Sequence, residues 1–385
     1  MTKFINDIPD EKILGEVCDL KYGKSLPAPK RTPGEYPVFG SNGQVGSHTE
    51  SLTQGPTIII GRKGSFGEVH FSEKSCWPID TTYYIDERST KENLKWLSYY
   101  LQTLGLTKLN RAAAIPGLNR EDAYRINIRI PSLAEQDRVA ALLESMDDLR
   151  EKRRRSIELL DELTQSIFLE MFGDTRAPDS QWESVIFSEV LTTPPRNGLS
   201  PSKGGDFSAN VLTLSAITGE KFNPDAQKEA TFKEAPPSEK SVRINDFLVC
   251  RGNGNIDLVG RGHFPTKNMP SMTFPDTMIA SPIDQEKIFP EFLESLWKQD
   301  SIREQIKSVA RTTNGTFKIN QRSLENIRII IPPIRLQREF TEKVWRIRET
   351  KAKHQTHLAH LDELFASVQQ RAFNGTLWND PAVAS

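Results

Sequence analysis

The chain has 385 residues, 37% apolar and 26% charged, with a formal net charge of −1. This is the make-up of an ordinary globular protein. No apolar run nears the ~18 residues of a membrane span, the first residues lack the apolar core of a signal peptide, and the three cysteines (Cys18, Cys76, Cys250) lack the spacing of a structural zinc site and suit a reducing cytoplasm. By segment the net charge is +2 over 1–131, −4 over 132–173, −1 over 174–333 and +2 over 334–385. There is no basic arm, so nucleic-acid binding has to come from local patches or from a partner.

Residues 13–125 read as strand and loop. The β-branched and aromatic segments TIIIG (57–61), EVHF (68–71) and TTYYI (81–85) are broken by Gly and Pro, and a helix is expected over 91–104. From Leu133 to Phe172 there is neither Gly nor Pro. Ser132 and Glu135 form a capping-box pattern after Pro131, and Gly173 is a stop signal, so one long helix is expected. The following 160 residues repeat the mixed pattern, with strands at NVLTL (210–214), DFLVC (246–250) and DTMIA (276–280) and a helix over 290–309. Pro333 can open a second long helix, which Asn374-Gly375 would end.

The two long segments spell similar phrases at one offset. LDELTQSI (160–167) and LDELFASV (361–368) lie 201 residues apart, as do IPSLAEQ (130–136) and IPPIRLQ (331–337), INIRIP and IRIIIP, and Asn119 and Asn320. Upstream, LGEV (14–17) matches FSEV (187–190) at 173, and Arg62 matches Arg251 at 189. The chain is an internal duplication whose second copy holds about 28 extra residues ahead of a length-locked block. The expected parts are an α+β domain over 1–131, a helix over 132–173, a second α+β domain over 174–332, and a helix with a tail over 333–385.

Each helix would span about 60 Å and needs a partner for its apolar stripe. Val139, Leu142, Met146, Leu149, Leu160, Leu163 and Ile167 are expected to face Val344, Ile347, Leu358, Leu361, Phe365 and Val368. Both stripes turn polar midway, at Arg150 and Arg153 and at Lys351 and His354. Two equivalent units meet about a two-fold axis, so the helices are expected to pair as an antiparallel coiled coil.

Three loop regions carry donors suited to base edges and phosphates. The first, with the strand before it, offers Lys21, Lys24, Ser41, Asn42 and Gln44. The second is GRKGSFG (61–67) with Arg62, Lys63 and Ser65, matched by CRGNGN (250–255) with Arg251, Asn253 and Asn255. The third precedes the helices, with Asn110 and Arg111 in one copy and Arg311, Thr312, Asn314 and Lys318 in the other. Arg196, Asn197 and Lys203 complete the DNA-binding candidates. Taken singly, each Gly-Asn loop reads first as a tight turn; three such loops in each of two repeated domains point to binding by the domain rather than by any one residue.

Catalytic patterns are absent or loose. The sequence has no [DN]-P-P-[YF] motif of an adenine methyltransferase and no G-x-x-x-x-G-K-[ST] loop. Pro9, Asp10, Asp19 and Lys21 only loosely resemble a nuclease pattern. His354, His357 and His360 share one helix, where a solvated face is the simpler reading than a metal site. The chain is expected to be non-catalytic, without a metal or cofactor of its own.

The order of variable domain, long helix, variable domain, long helix resembles the DNA specificity subunit of type I restriction-modification systems. IPSLAEQDRVAALLESMDDL with LLDELTQSIFLEMFG is similar to that family's first conserved region, and IPPIRLQREF with LDELFASVQQRAFNG to its second. YPVFGSNGQVG and IIIGRKGSFGEV are similar to phrases in its target-recognition domains. The second copy departs in reading IRLQR, where the family has an acidic residue before the Gln, and in lacking a GSNG loop. The resemblance implies that each variable domain reads half of a bipartite double-stranded DNA target, that the helices fix the spacer, and that methyltransferase and restriction/translocase subunits dock on the chain. S-adenosylmethionine, ATP and Mg are then cofactors of those partners. Paired helices alone equally describe an assembly scaffold with no DNA role.

Overall fold

The computed structural model describes residues 10–109, 117–175, 181–202, 204–313 and 315–378. The chain forms two compact units, Met1–Arg155 with His354–Ser385, and Ser156–Lys353. Each unit thus holds one half of each long helix. The architecture is α+β.

In the first unit the strand Thr57–Gly61 is buried throughout and runs antiparallel between Val69–Ser72 and Thr82–Ile85, with Lys21–Tyr22 at the edge. Unbroken β-branched character is what a strand covered on both faces requires. A second sheet sets Tyr36–Gly40 antiparallel to Gly43–His48 and parallel to Trp77–Pro78, so the glycine-rich 39–46 segment is a tight hairpin. Helix Leu94–Thr103 begins where Asn93 accepts from the Trp96 amide at 2.9 Å and buries Trp96, Leu97 and Leu101. Asp10–Ile13 pairs with Asn127–Ile130 just ahead of the first long helix.

The second unit repeats this plan. Asp246–Cys250 is buried between Gly262–His263 and Met278–Pro282, with Arg196–Asn197 at the edge, and Glu183–Ile186 pairs with Arg328–Ile331. Part of its extra length forms a hairpin, Phe207–Leu212 with Gln227–Phe232, in a further four-stranded sheet. The single helix expected over 290–309 is two, Pro290–Trp297 and Asp300–Val309, parted where Gln299 adopts an extended ψ of 147°. Leu296 and Ile302 both enter the core. Six residues of straight helix would turn Ile302 about 120° away from Leu296, so the break lets both faces reach one core.

The long helices run Leu133–Phe172 and Ile334–Phe373, followed by Gly173 and Gly375 at φ +77° and +71°, where only glycine is unstrained. Their shielded positions alternate three- and four-residue steps, a heptad seam. On the first helix these are Gln136, Val139, Leu143, Met146, Arg150, Arg153, Ile157, Leu160, Thr164, Ile167 and Met171. Adding 201 to each gives the second seam, from Gln337 and Phe340 through Val344, Ile347, Lys351, His354, Leu358, Leu361, Phe365 and Val368 to Ala372. In the first unit Val139, Leu143 and Met146 share a core with Phe365 and Phe373. In the second Phe168 and Phe172 share one with Phe340 and Val344. The start of one helix meets the end of the other in both, so the pairing is antiparallel. Two expected seam residues are corrected. Leu149 and Leu163 are 50% and 44% exposed, one step ahead of Arg150 and Thr164. The seam is set by position rather than residue type, and the heptad passes them by. Leu142 is partly buried at the flank of the first core.

Both helix starts are clamped alike by a fully buried glutamine. Gln136 Oε1 accepts from the Asn93 amide at 2.9 Å while its Nε2 donates to the Pro131 carbonyl at 3.0 Å. Gln337 accepts from the Phe289 amide at 3.0 Å and donates to the Pro332 carbonyl at 2.8 Å. All three cysteines are free and buried, and burial pushes the Cys18 thiol up to about 12 and Cys250 to about 11, so neither is a nucleophile near neutrality. Among the described residues no helix is long and apolar enough to cross a membrane.

Candidate nucleic-acid interface

In the first unit two chain segments converge on one carbonyl. Thr81 O accepts the Arg62 amide at 2.8 Å, the Lys63 amide at 3.2 Å and the Ser41 hydroxyl at 2.6 Å. The Arg62 carbonyl in turn accepts the Leu118 amide at 2.9 Å, and Lys63 bridges to Gly117. The 39–46, 61–67 and 117–120 segments therefore share a frame, from which Asn42, Gln44, Lys63 and Ser65 project into solvent.

The second unit builds the same frame at the duplicated positions. The Arg251 amide donates to Thr277 O at 2.8 Å, and the Arg251 carbonyl accepts the Ile319 amide at 2.9 Å. Arg62 and Arg251 both send their guanidinium to the carbonyl of an aspartate, Asp80 and Asp276. Gly252–Asn253 pairs with Thr316–Lys318, which pairs with Arg311–Thr313, so the second and third loops become one small sheet. Arg311, Thr312 and Lys318 are exposed on it. Asn253 is half-buried and accepts from the Asn255 amide at 2.9 Å, while exposed Asn255 accepts from the Asp257 amide. Both asparagines thus spend an oxygen on turning the chain and keep their NH2 groups free of that task.

Other candidates are occupied. Arg196 embraces the fully buried Asp246 with both terminal nitrogens and also donates to the Glu239 and Ser241 carbonyls. This is a correction: a guanidinium neutralising a buried carboxylate holds the fold and is not free to read DNA. Its neighbour Asn197 is half-buried. Lys21 is paired with Asp86 at 3.0 Å. Ser41 is buried, its hydroxyl spent on Thr81. Lys24 is exposed, with its ammonium 5.9 Å from the centre of the Trp77 ring. Asn110, Arg111, Lys203 and Asn314 lie outside the described residues. Asp19 accepts from the Tyr124 hydroxyl rather than meeting Lys21, and among the described residues no group of three His, Cys, Asp or Glu is arranged to hold a metal.

Sequence reasoning missed several cations and rings. Tyr22 is 52% exposed, with the guanidinium carbons of Arg62 and Arg120 5.2 and 5.3 Å from its ring centre. Burial and the neighbouring Tyr22 push the Tyr83 hydroxyl up to about 12, which keeps it a donor to Leu118 O at 3.2 Å. In the second unit Arg261 and Arg303 donate to the Asp257 carbonyl and Lys307 pairs with its carboxylate at 2.7 Å, placing three cations behind the Asn253–Asn255 loop. Only the aromatic-and-arginine bias of residues 20–22 and 120–125 signalled the first cluster.

A family model described as a type I restriction modification DNA specificity domain matches residues 10–159. The specificity subunit of the type I restriction enzyme EcoKI from Escherichia coli K12 is 24% identical over 294 residues, covering 71% of this chain and 62% of that protein. That of StySPI from Salmonella potsdam is 26% identical over 293 residues, with the same coverage. The chain is thus similar to type I specificity subunits, with the family's domain matched over residues 10–159. The chain matches less than two thirds of the length of those curated relatives. The specificity-subunit fold extends over almost the whole chain. The crystal structure of the type I S subunit from M. genitalium aligns with 97% of it at a TM-score of 0.60 and 18% identity, covering 98% of that chain. A chain from a structural study of complex assembly and conformational transition in a type I system aligns with 98% at 0.55 and 16% identity, covering all of that chain. A helical scaffold with no DNA role finds no support among these specificity-family matches.

Proposed function

We propose that the chain is the non-catalytic, DNA-reading subunit of a type I restriction-modification complex. Each unit reads one half of a bipartite, asymmetric target, and the paired helices fix the unread spacer between the halves. Methyltransferase subunits dock on the outer helix faces and bring restriction/translocase subunits with them. Adenine methylation with S-adenosylmethionine, and ATP- and Mg-dependent cleavage in the cytoplasm, belong to those partners.

The observation that carries this reading is the duplicated frame. Arg62 and Arg251 hold equivalent backbone bonds and present different exposed side chains around them: Asn42, Gln44 and Lys63 in one unit, Asn255, Arg311 and Lys318 in the other. Equal scaffolds with unequal donors are what two different half-sites require. The near-neutral charge keeps binding to random DNA weak. The exposed Leu149, Leu163 and Leu169, with Trp345 at 62% exposure, supply apolar surface for docked partners.

The test is replacement of residues 13–125 by the corresponding region of another family member, followed by methylation mapping of the assembled complex. One half-site is expected to change and the other to persist. A change in both halves, or in neither, would contradict the modular assignment.

A further inference from the structure

The geometry points to a phosphate clamp in the first unit, formed by Arg62 and Arg120 on either hand of Tyr22, that grips a backbone phosphodiester beside the first half-site. The inference rests on the DNA-reading function proposed above and adds to it a ligand group and the residues that hold it.

Tyr22 sits on an edge strand opposite Tyr83, the two ring centres 5.1 Å apart. It is among the few large rings left open to solvent, at 52% exposure. Arg62 lies over both Tyr22 and Tyr83, and Arg120 over both Tyr22 and Tyr124, with guanidinium carbons 5.2 to 6.0 Å from the ring centres. The aromatic faces are themselves fixed. The Tyr83 hydroxyl donates to Leu118 O, and the Tyr124 hydroxyl donates to Asp19 at 3.0 Å and accepts the Leu20 amide at 2.9 Å. Two guanidiniums thus alternate with three rings, each within cation–π range of two of them, and both have N–H groups left over for an outside acceptor.

Among the described residues neither guanidinium has a buried carboxylate partner. Arg62 donates to the Asp80 carbonyl and has no carboxylate partner among the described residues. Arg120 is 3.8 Å from Glu121, whose side chain is 64% exposed, a contact worth little in water. The contrast is with the second unit, where the edge-strand position that corresponds to Tyr22 holds the half-buried Asn197, beside Arg196 locked on buried Asp246. Two pre-organised cations around an open ring, beside a frame of exposed polar donors, match an anionic group of fixed geometry. The DNA phosphodiester is the anion that the proposed ligand presents all along its length. Arg62 and Arg120 bind it, and Tyr22 is the positioning residue.

The test uses the full chain assembled with its methyltransferase subunits, binding target and random duplexes across a salt series. Arg120→Gln is expected to weaken both duplexes about equally, on the order of tenfold, and to lower the slope of log affinity against log salt by about 0.9. Tyr22→Leu should weaken binding similarly and Tyr22→Phe should restore it, since the ring and not the hydroxyl positions the cations. Thermal melts of the three variants separate lost binding from lost folding. Unchanged affinity and slope in Arg120→Gln overturn the clamp, as does a variant that relaxes the bases accepted in one half-site with its salt slope intact, for that is base reading. A wild-type complex with no salt-dependent DNA binding fails the proposed function itself.

Discussion

Arg150 Nε donates to Asp362 Oδ1 at 2.6 Å, across the helix pair of the first unit. The duplicated residues Lys351 and Asp161, each 201 positions from its counterpart, make the same bond at 2.7 Å in the second unit. The two ion pairs are one contact used twice with the helices exchanged. Polar groups at seam positions fix register at some cost in stability, and Arg150 and Lys351 stand where the two seams turn polar. Reversing one charge by Arg150→Asp should destabilise the chain, and adding Asp362→Arg should recover part of the loss. A denaturation double-mutant cycle should give a coupling of about 0.5–1 kcal/mol, since Asp362 is 43% exposed. A coupling of zero would assign register to the apolar seam alone.

Gln136 and Gln337 are tested by removing their amides at constant bulk. Gln136→Leu strips the Asn93 amide of its acceptor, and Gln337→Leu does the same to Phe289. Each should cost about 1–3 kcal/mol, the penalty of an orphaned buried donor, read as a shift of the urea midpoint. Equal losses from the two variants would mark them as one device in two copies.

Arg196→Ala leaves Asp246 charged, fully buried and without its partner. A loss of about 3–5 kcal/mol is expected, measured by chemical denaturation. Arg311→Ala on the exposed hairpin should stay within about 0.5 kcal/mol of the parent and lower DNA affinity instead. If Arg196→Ala keeps full stability and loses binding, the correction made to its role fails.

Acid should weaken the second unit through Glu294. Burial alone would raise its carboxyl; the His263 hydrogen bond, the Arg348 and His263 charges and the Phe264 amide outweigh that and hold it at about 2, against 4.5 for a free glutamate. The unfolded chain therefore takes up a proton first as pH falls. The stabilisation is complete above about pH 5 and fades as pH drops from about 4.5 toward about 2. Glu294→Gln should be less stable than the parent near pH 6, with the gap narrowing below about pH 4.5 and closing near pH 2. A gap constant over that range would place the effect elsewhere.

The long helices were legible because their signals are local: no Gly or Pro for 40 residues, a capping pattern before and a glycine after. The strands 57–61 and 246–250 were legible because continuous β-branched runs have few other uses. Leu149 and Leu163 were misread because a leucine is a plausible seam residue wherever it falls near one, while the true positions hold Arg150 and Thr164, whose burial depends on the facing helix. Arg196 was misread for a longer-range reason. Asp246, 50 residues on, decides its role, and nothing near Arg196 in the chain announces the pairing. Tyr22 and Arg120 escaped notice because 98 residues separate them and the site exists only once Lys21–Tyr22 has joined its sheet.

The split of the first unit bears on how the chain matures during synthesis. Its core needs Phe365, Phe373 and Leu377 beside residues from Leu14 to Met146, whereas the second unit is one unbroken stretch, 156–353. At ribosomal speeds of about 5–20 residues per second, the opening third of the polypeptide waits roughly 10–40 s for the aromatic side chains that seal it. The later-encoded half can therefore settle before the earlier one, and the interval is one in which chaperones would find the amino-terminal portion still unsealed.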